Sequence, residues 1–341
     1  MIVPVALVQR RQPNGRLLMR RILFAGLALL FAAAEPQVGR AQDWPSRPIK
    51  LVVPFSPGGT ADTLGRLFAH ALSESLGQQI YVENRGGAGG MIASAQVARA
   101  KPDGYTLVVS GVASHVIAPL LSTRSDYDPV RDFTHIAYFG GPPIVVVAHP
   151  SLGVRSLEQL VTLLRGEPEP ISYGSPGVGT QGHLVAAYLA QKLRLKLAHV
   201  PYKGASPAMF DLIGGHIKLA SVTWTTALGH IESGAVVPIA VTARKRLARF
   251  PTVPTFAELG LPDLVATTWF SLSGPPGLPP SLVERLNREV VKALDLPEVR
   301  ARLDQEGIEA EKMDASAFTA FVRSEITHWM PMAKSSGVKA E

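Results

Sequence analysis

Between Ile49 and Ala243 the chain repeats one unit: a short apolar run, a turn rich in Gly, Pro or Ser, then apolar residues at helical spacing. Alternation of this kind demands parallel strands with helical crossovers, because a strand buried on both faces reads as a continuous apolar run and its return helix shows one apolar stripe. Ile49 to Phe55 is such a strand, closed by Pro and Gly. Thr60 to Leu76 follows with the stripe Leu64, Leu67, Phe68, Ala71, Leu72 and Leu76, and Gly77 caps it. QQIYVENR, GGAGGMIASAQVARA and YTLVVSG continue as strand, glycine-led helix and strand. The rhythm breaks at FTHIAYFGGPPIVVVAHP (133–150), two extended runs separated by GGPP. It then resumes with SLEQLVTLLRG (helix), ISYGS (strand), HLVAAYLAQKL (helix), LAHVPYK (strand), ASPAMFDLIGG (helix), HIKLASVT and VPIAVTA (strands). TTWFSLSGPPGLPP leads into the helix SLVERLNREVVKALD, and FTAFVRSEITHWMPMAKSS reads as a terminal helix packed on the first lobe. The expectation is an α/β protein of two lobes, 42–142 plus 266–341 and 143–265, with the chain crossing near 142 and returning near 266. Extended crossovers between two lobes make a hinged cleft, the natural place for a ligand.

The start of the chain has another character. Met19-Arg20-Arg21 precedes ILFAGLALLFAAA (22–34), an apolar run short for a membrane span, and Gly39-Arg40-Ala41 offers small residues at −3 and −1. Residues 1–41 read as a leader that starts at Met19 and is cleaved after Ala41, so that the rest is exported; a retained anchor is the alternative. Of 34 basic and 27 acidic residues, six arginines and Glu35 lie in that leader, which leaves 28 and 26, a net charge of +2. The basic character belongs largely to the leader, so a nucleic-acid partner loses its main support. With no cysteine, disulfides and thiolate metal sites are excluded.

Two segments share one design: VPFSPGGTAD (53–62) and YGSPGVGTQGH (173–183) each run from strand through a Gly-rich turn into a helix. The first N–H groups of a helix have no partner within it, and its dipole favours negative charge, so such a turn is a ready anion site. Each could also be only a tight connection; two of them, one per lobe, point to a clamp for a carboxylate or another small oxyanion if they face each other. Gly177, Gly179 and Gly182 match the spacing G-x-G-x-x-G, but KLAHVPYKG (196–204) carries no acid for a ribose, and neither loop has the lysine of a phosphate-binding P-loop. No G-x-S-x-G elbow or H-E-x-x-H pair occurs, so neither a hydrolase nor a metal site is expected. Asp62, in a first helical turn, either stabilises the helix dipole or accepts a hydrogen bond from a ligand or a water, and the residues leave both open. Trp224 is expected in the core, and RKRLAR (244–249) on a solvated turn.

The whole resembles the Bug family (Bordetella uptake gene proteins), the substrate-binding proteins of tripartite tricarboxylate transporters. The segments that carry the likeness are WPSRPIKLVVPFSPGGTAD, VENRGGAGG, PDGYTL, YDPVRDF, YGSPGVGTQGHL, HVPYKGASPAMFDLIGG, AVTARKRLARFPTVPTFAELG and GPPGLPP, in that order. The resemblance implies a class II periplasmic-binding-protein fold closing over a small carboxylate. It also implies a ligand held by Phe55, Ser56, Gly58, Gly59 and Asp62 in one lobe and Ser175, Gly177, Gly179, Thr180 and His183 in the other, with Ser110 in a neighbouring loop. It implies a non-enzymatic, monomeric carrier that needs no cofactor and delivers its ligand to membrane permease subunits. A sensor for a membrane receptor, or an oxidoreductase using the 177–182 loop with a nicotinamide, are the alternatives. Where the family commonly has Phe-Asp, this chain has Ser221-Val222. Loss of that acid disfavours a ligand whose ammonium or hydroxyl needs an acceptor there, and favours a plain di- or tricarboxylate or an apolar or aromatic acid over an amino acid.

Overall fold

The computed structural model describes residues 44–335 and 338; the leader, its start at Met19 and the cleavage after Ala41 lie outside the described residues. The strands are β1 (Ile49–Val53), β2 (Ile80–Asn84), β3 (Thr106–Gly111), β4 (Thr134–Gly140), β5 (Ile144–Ala148), β6 (Ile171–Ser175), β7 (Leu197–Pro201), β8 (Leu219–Thr223), β9 (Val237–Val241) and β10 (Phe270–Gly274). They form two five-stranded sheets, ordered β2-β1-β3-β10-β4 and β7-β6-β8-β5-β9. Within each sheet the first three strands are parallel, and the fourth in order, β10 or β5, runs antiparallel to both neighbours. The two sheets therefore share one topology, and the antiparallel strand of each is the one the chain lays down on arriving from the other. β5 and β8, flanked on both sides and covered on both faces, are buried at every residue.

The helices are α1 (Thr60–Leu76), α2 (Met91–Ala98), α3 (Ala118–Leu121), α4 (Leu157–Gly166), α5 (Gln181–Leu193), α6 (Ala205–Ile213), α7 (Trp224–Glu232), α8 (Pro280–Ala293), α9 (Pro297–Gln305) and α10 (Ala315–Ser335). A π-helical turn, 113–117, leads into α3. The stripe that predicts α1 is buried at Leu64, Phe68, Ala71, Leu72 and Leu76, and Gly77 ends the helix in the left-handed conformation. Trp224 opens α7 and is buried with its ring 4.8 Å from that of Phe250, so it belongs to the core. The terminal helix α10 sets Phe318, Val322 and Trp329 against Val116, Ile117 and Trp269. Both tryptophan Nε1 atoms donate to Glu325 Oε2, at 2.8 and 3.0 Å.

Two segments carry the chain between the sheets. Residues 141–143 join β4 directly to β5, and the return segment runs beside them: Pro143 pairs antiparallel with Thr267, and Thr268 N donates to the Pro142 carbonyl at 3.1 Å. Gly141 makes this approach possible, since a Cβ there would stand 2.0 Å from the Thr268 carbonyl oxygen.

Candidate functional site

A cleft lies where the ends of the two sheets face each other, with about 540 Å³ of non-atom space. Its walls are Phe55, Gly59, Thr60, Ala61, Val109, Gly111 and Ala113 on the side of the first sheet, and Ile144, Pro176, Thr180, Gln181, Gly182, Ala205 and Thr223 on the side of the second. Thr268 and Phe270, from the return segment and β10, close it at the back. The sides touch across the cleft. Ser56 N and Oγ both donate to the Lys203 carbonyl at 3.0 Å, and Thr60 Oγ1 donates to Thr223 Oγ1 at 2.7 Å inside the protein. This is the closed arrangement.

No lysine, arginine, aspartate or glutamate lines the cleft. Its polarity comes from helix ends instead. Gly59, Thr60 and Ala61 begin α1, Thr180 to Gly182 begin α5, Ala205 begins α6, and Thr223 is the N-cap of α7. At α1, α6 and α7 no side chain caps the terminus. Four helix N-termini thus bring their positive dipole ends to one apolar cavity, although Thr180 Oγ1 caps His183 N at α5 and Trp224 N of α7 donates to the Pro143 carbonyl.

Among the residues expected to bind ligand, Phe55, Gly59 and Thr180 stand in this wall. Ser56 and Gly58 lie where the sides meet; Ser206 Oγ is 3.1 Å from where a Cβ on Gly58 would sit. Gly179 packs against Ala118 across the same junction. The remaining polar groups turn inward. Asp62 accepts from Gly58 N at 2.9 Å, Asn84 Nδ2 at 2.9 Å and Arg66 Nε at 3.1 Å, and so braces its own loop. Burial would raise its carboxyl, but Arg66 with the Gly58 and Asn84 donors outweighs burial and holds it below the usual carboxylate value. Ser110 Oγ is 2.6 Å from both Ser271 Oγ and Ser273 Oγ, a hydroxyl chain between β3 and β10. Ser175 Oγ meets Gly177 N at 3.2 Å and His199 Nε2 at 2.7 Å. His183 lies flat on His199, ring centroids 3.8 Å apart. Burial, with His199 beside it, pushes its pKa down to about 3, which makes it a neutral packing group under the α5 terminus.

Sequence reasoning did not name Ala205, Gln181, Thr223, Thr268 or Phe270. The run Gly204-Ala205 repeats the glycine-to-helix signature and could have been found by it. Nothing local marks Thr268 and Phe270, which reach the cleft only because the chain returns there.

Two sheets of one topology, joined by a paired hinge and closed over a cleft, define a class II periplasmic-binding-protein fold. The chain belongs to the tripartite tricarboxylate transporter receptor family, whose model matches residues 64–338. It is 33% identical over 300 residues to protein BugT of Bordetella pertussis, covering 88% of this chain and 92% of that protein. An R. palustris protein solved with adipate superposes at TM-score 0.84 with 34% identity, over 87% of this chain and 99% of the other. MatC from Rhodopseudomonas palustris, solved with bound malate, gives 0.81 and 31%, over 85% and 100%.

Proposed function

We propose that this chain is an exported receptor that captures a small organic carboxylate between its lobes and delivers it to the permease of a tripartite tricarboxylate-type transporter. The convergence of four helix N-termini on a cleft without charged side chains carries this reading. An anion there finds several N–H donors and aligned dipoles, each worth roughly 0.3–2 kcal/mol, with no fixed cation to demand a particular charge. The carboxylates bound by the two R. palustris proteins have the same chemistry. The lobes are 42–142 with 266–341 and 143–265, and the leader 1–41 is removed on export, so the carrier works as a periplasmic monomer. Ligand is held by Phe55, Gly59 and Thr180 directly, while Ser56, Gly58, Asp62, Ser175, Gly177, Gly179 and His183 shape the two loops behind them and Ser110 ties β3 to β10 beside the cleft. No catalytic group or cofactor is required, because holding and release need only hinge motion.

The test is thermal unfolding of the chain from Gln42 onward, against di- and tricarboxylates, aromatic acids, amino acids, NAD⁺ and NADPH. A carboxylate at 100 times its Kd adds about 2.7 kcal/mol, seen as a saturable rise in Tm. Gly59→Val should remove that response and leave the unliganded Tm in place. The Gly59 backbone, at φ −87°, suits any residue, and a Cβ would meet nothing nearer than 3.9 Å, but the valine methyls would stand between α1 and Ala205. Stabilisation by the nicotinamides alone, or by carboxylates equally in Gly59→Val, would overturn the assignment.

A further inference from the structure

Gln181 is the second residue of the α5 terminus after its Thr180 cap, lies in the cleft wall, and is only 2% exposed. Its amide orientation is set by the hinge, because Nε2 donates to the Thr267 carbonyl at 3.0 Å and only an N–H can pair with that oxygen. The other end, Oε1, is therefore an acceptor, and it is buried with no hydrogen-bond partner. A buried acceptor without a donor is costly, which a bound molecule can relieve. We infer that Gln181 selects ligands: the cleft prefers a carboxylic acid that also carries a hydroxyl, and that hydroxyl donates to Gln181 Oε1.

The chemistry narrows the donor. A neutral amide oxygen suits a hydroxyl, whereas an ammonium would bring a full positive charge into a wall with no carboxylate and beside four positive helix ends. The site thus restores, for hydroxyls only, the acceptor that Ser221-Val222 removes from the second lobe. Because Gln181 grips the return segment with one end and the ligand with the other, filling Oε1 also strengthens the closed arrangement.

This inference rests on the carboxylate reading, and the experiment separates the two. Calorimetric Kd values are measured for matched pairs: malate (both enantiomers) against succinate, 3-hydroxyglutarate against glutarate, and 3-hydroxyadipate against adipate. At least one hydroxy acid should bind about 10-fold or more tighter than its plain partner, the usual consequence of a site that must otherwise leave a polar group unpaired. In Gln181→Leu that preference should fall below about 3-fold, whatever the loss of the Thr267 contact costs both members of a pair alike. The wild-type comparison stands whether or not the variant folds. Equal binding across every pair, or a preference that survives in Gln181→Leu, overturns the role of Gln181 and leaves the carboxylate receptor intact. Failure of every acid to bind overturns the receptor reading, and this inference with it.

Discussion

Asp62 shows how a single residue changes meaning once its neighbours are known. Its place in a first helical turn is legible in SPGGTAD; its bonds to Gly58 N, Asn84 and Arg66 are not, since Asn84 lies on another strand. Asn84 also donates to the Phe55 carbonyl at 3.1 Å, so the Asp62–Asn84 pair fixes the loop that presents Phe55 and Gly59. Asp62→Asn keeps the shape and removes the charge. It should cost about 1–2 kcal/mol at pH 7, the range for hydrogen bonds to an ionised group with a partly exposed partner. The sign follows from the direction of the shift. A carboxyl held below its ordinary value of 3.8 contributes stability above that value and loses it as pH falls through the lower folded value. Urea denaturation of both proteins should therefore show a constant gap from pH 5 to 8 that closes below about pH 4. A gap that is unchanged in acid would mean the charge of Asp62 does not brace the loop.

At the level of elements, regular strands and helices were readable and irregular ones were not. β10 carries serines at 271 and 273, which meet Ser110 inside the sheet, so its inward face shows no apolar signal. α7 follows β8 without a glycine or proline between them, and a sequence pattern offers no boundary there. The hinge is the element most exposed to a single atom. Gly141→Ala would drive a methyl into the Thr268 carbonyl, at 2.0 Å before relaxation, and must part the two crossing segments. The expected loss is about 2–3 kcal/mol in chemical denaturation, with weakened ligand binding because Gln181 grips the same return segment through Thr267. Gly182 has the parallel role at the α5 terminus, where a Cβ would come 2.2 Å from the Ser221 carbonyl oxygen. An unchanged midpoint in Gly141→Ala would show that the crossing pair tolerates separation.

For the molecule as a whole, each side of the cleft holds two histidines as neutral rings, buried at His115, His135 and His183 and half-buried at His199. His115 is pushed well below its ordinary value by burial and by His135 nearby, and burial takes His135 and His199 down to about 4 and His183 to about 3. These rings charge near 6.5 once the chain unfolds, so the unfolded state binds more protons below that pH. Stability should accordingly be full above pH 6.5 and fall as pH drops towards 4, by up to about 1.4 kcal/mol per pH unit for each buried ring and by less for the half-buried His199. Denaturation midpoints between pH 7.5 and 5, above the range where carboxylates titrate, should show this decline, and His199→Gln should reduce its slope by about one proton. A flat profile would mean that these rings can charge in the folded protein. Alternation of apolar runs, glycine-led helix starts and the break at GGPP were legible along the chain because each depends on neighbours a few residues away. They were enough to set the class of fold and to mark the two glycine-led loops. Which atoms of those loops face the cleft was settled by folding, since Ser110, Ser175 and His183 find partners on other strands and turn inward. The wall that remains comes from Gln181, Thr223, Thr268 and Phe270, brought together by a chain that leaves the first sheet and returns to it about 125 residues later, a distance over which no local pattern carries information.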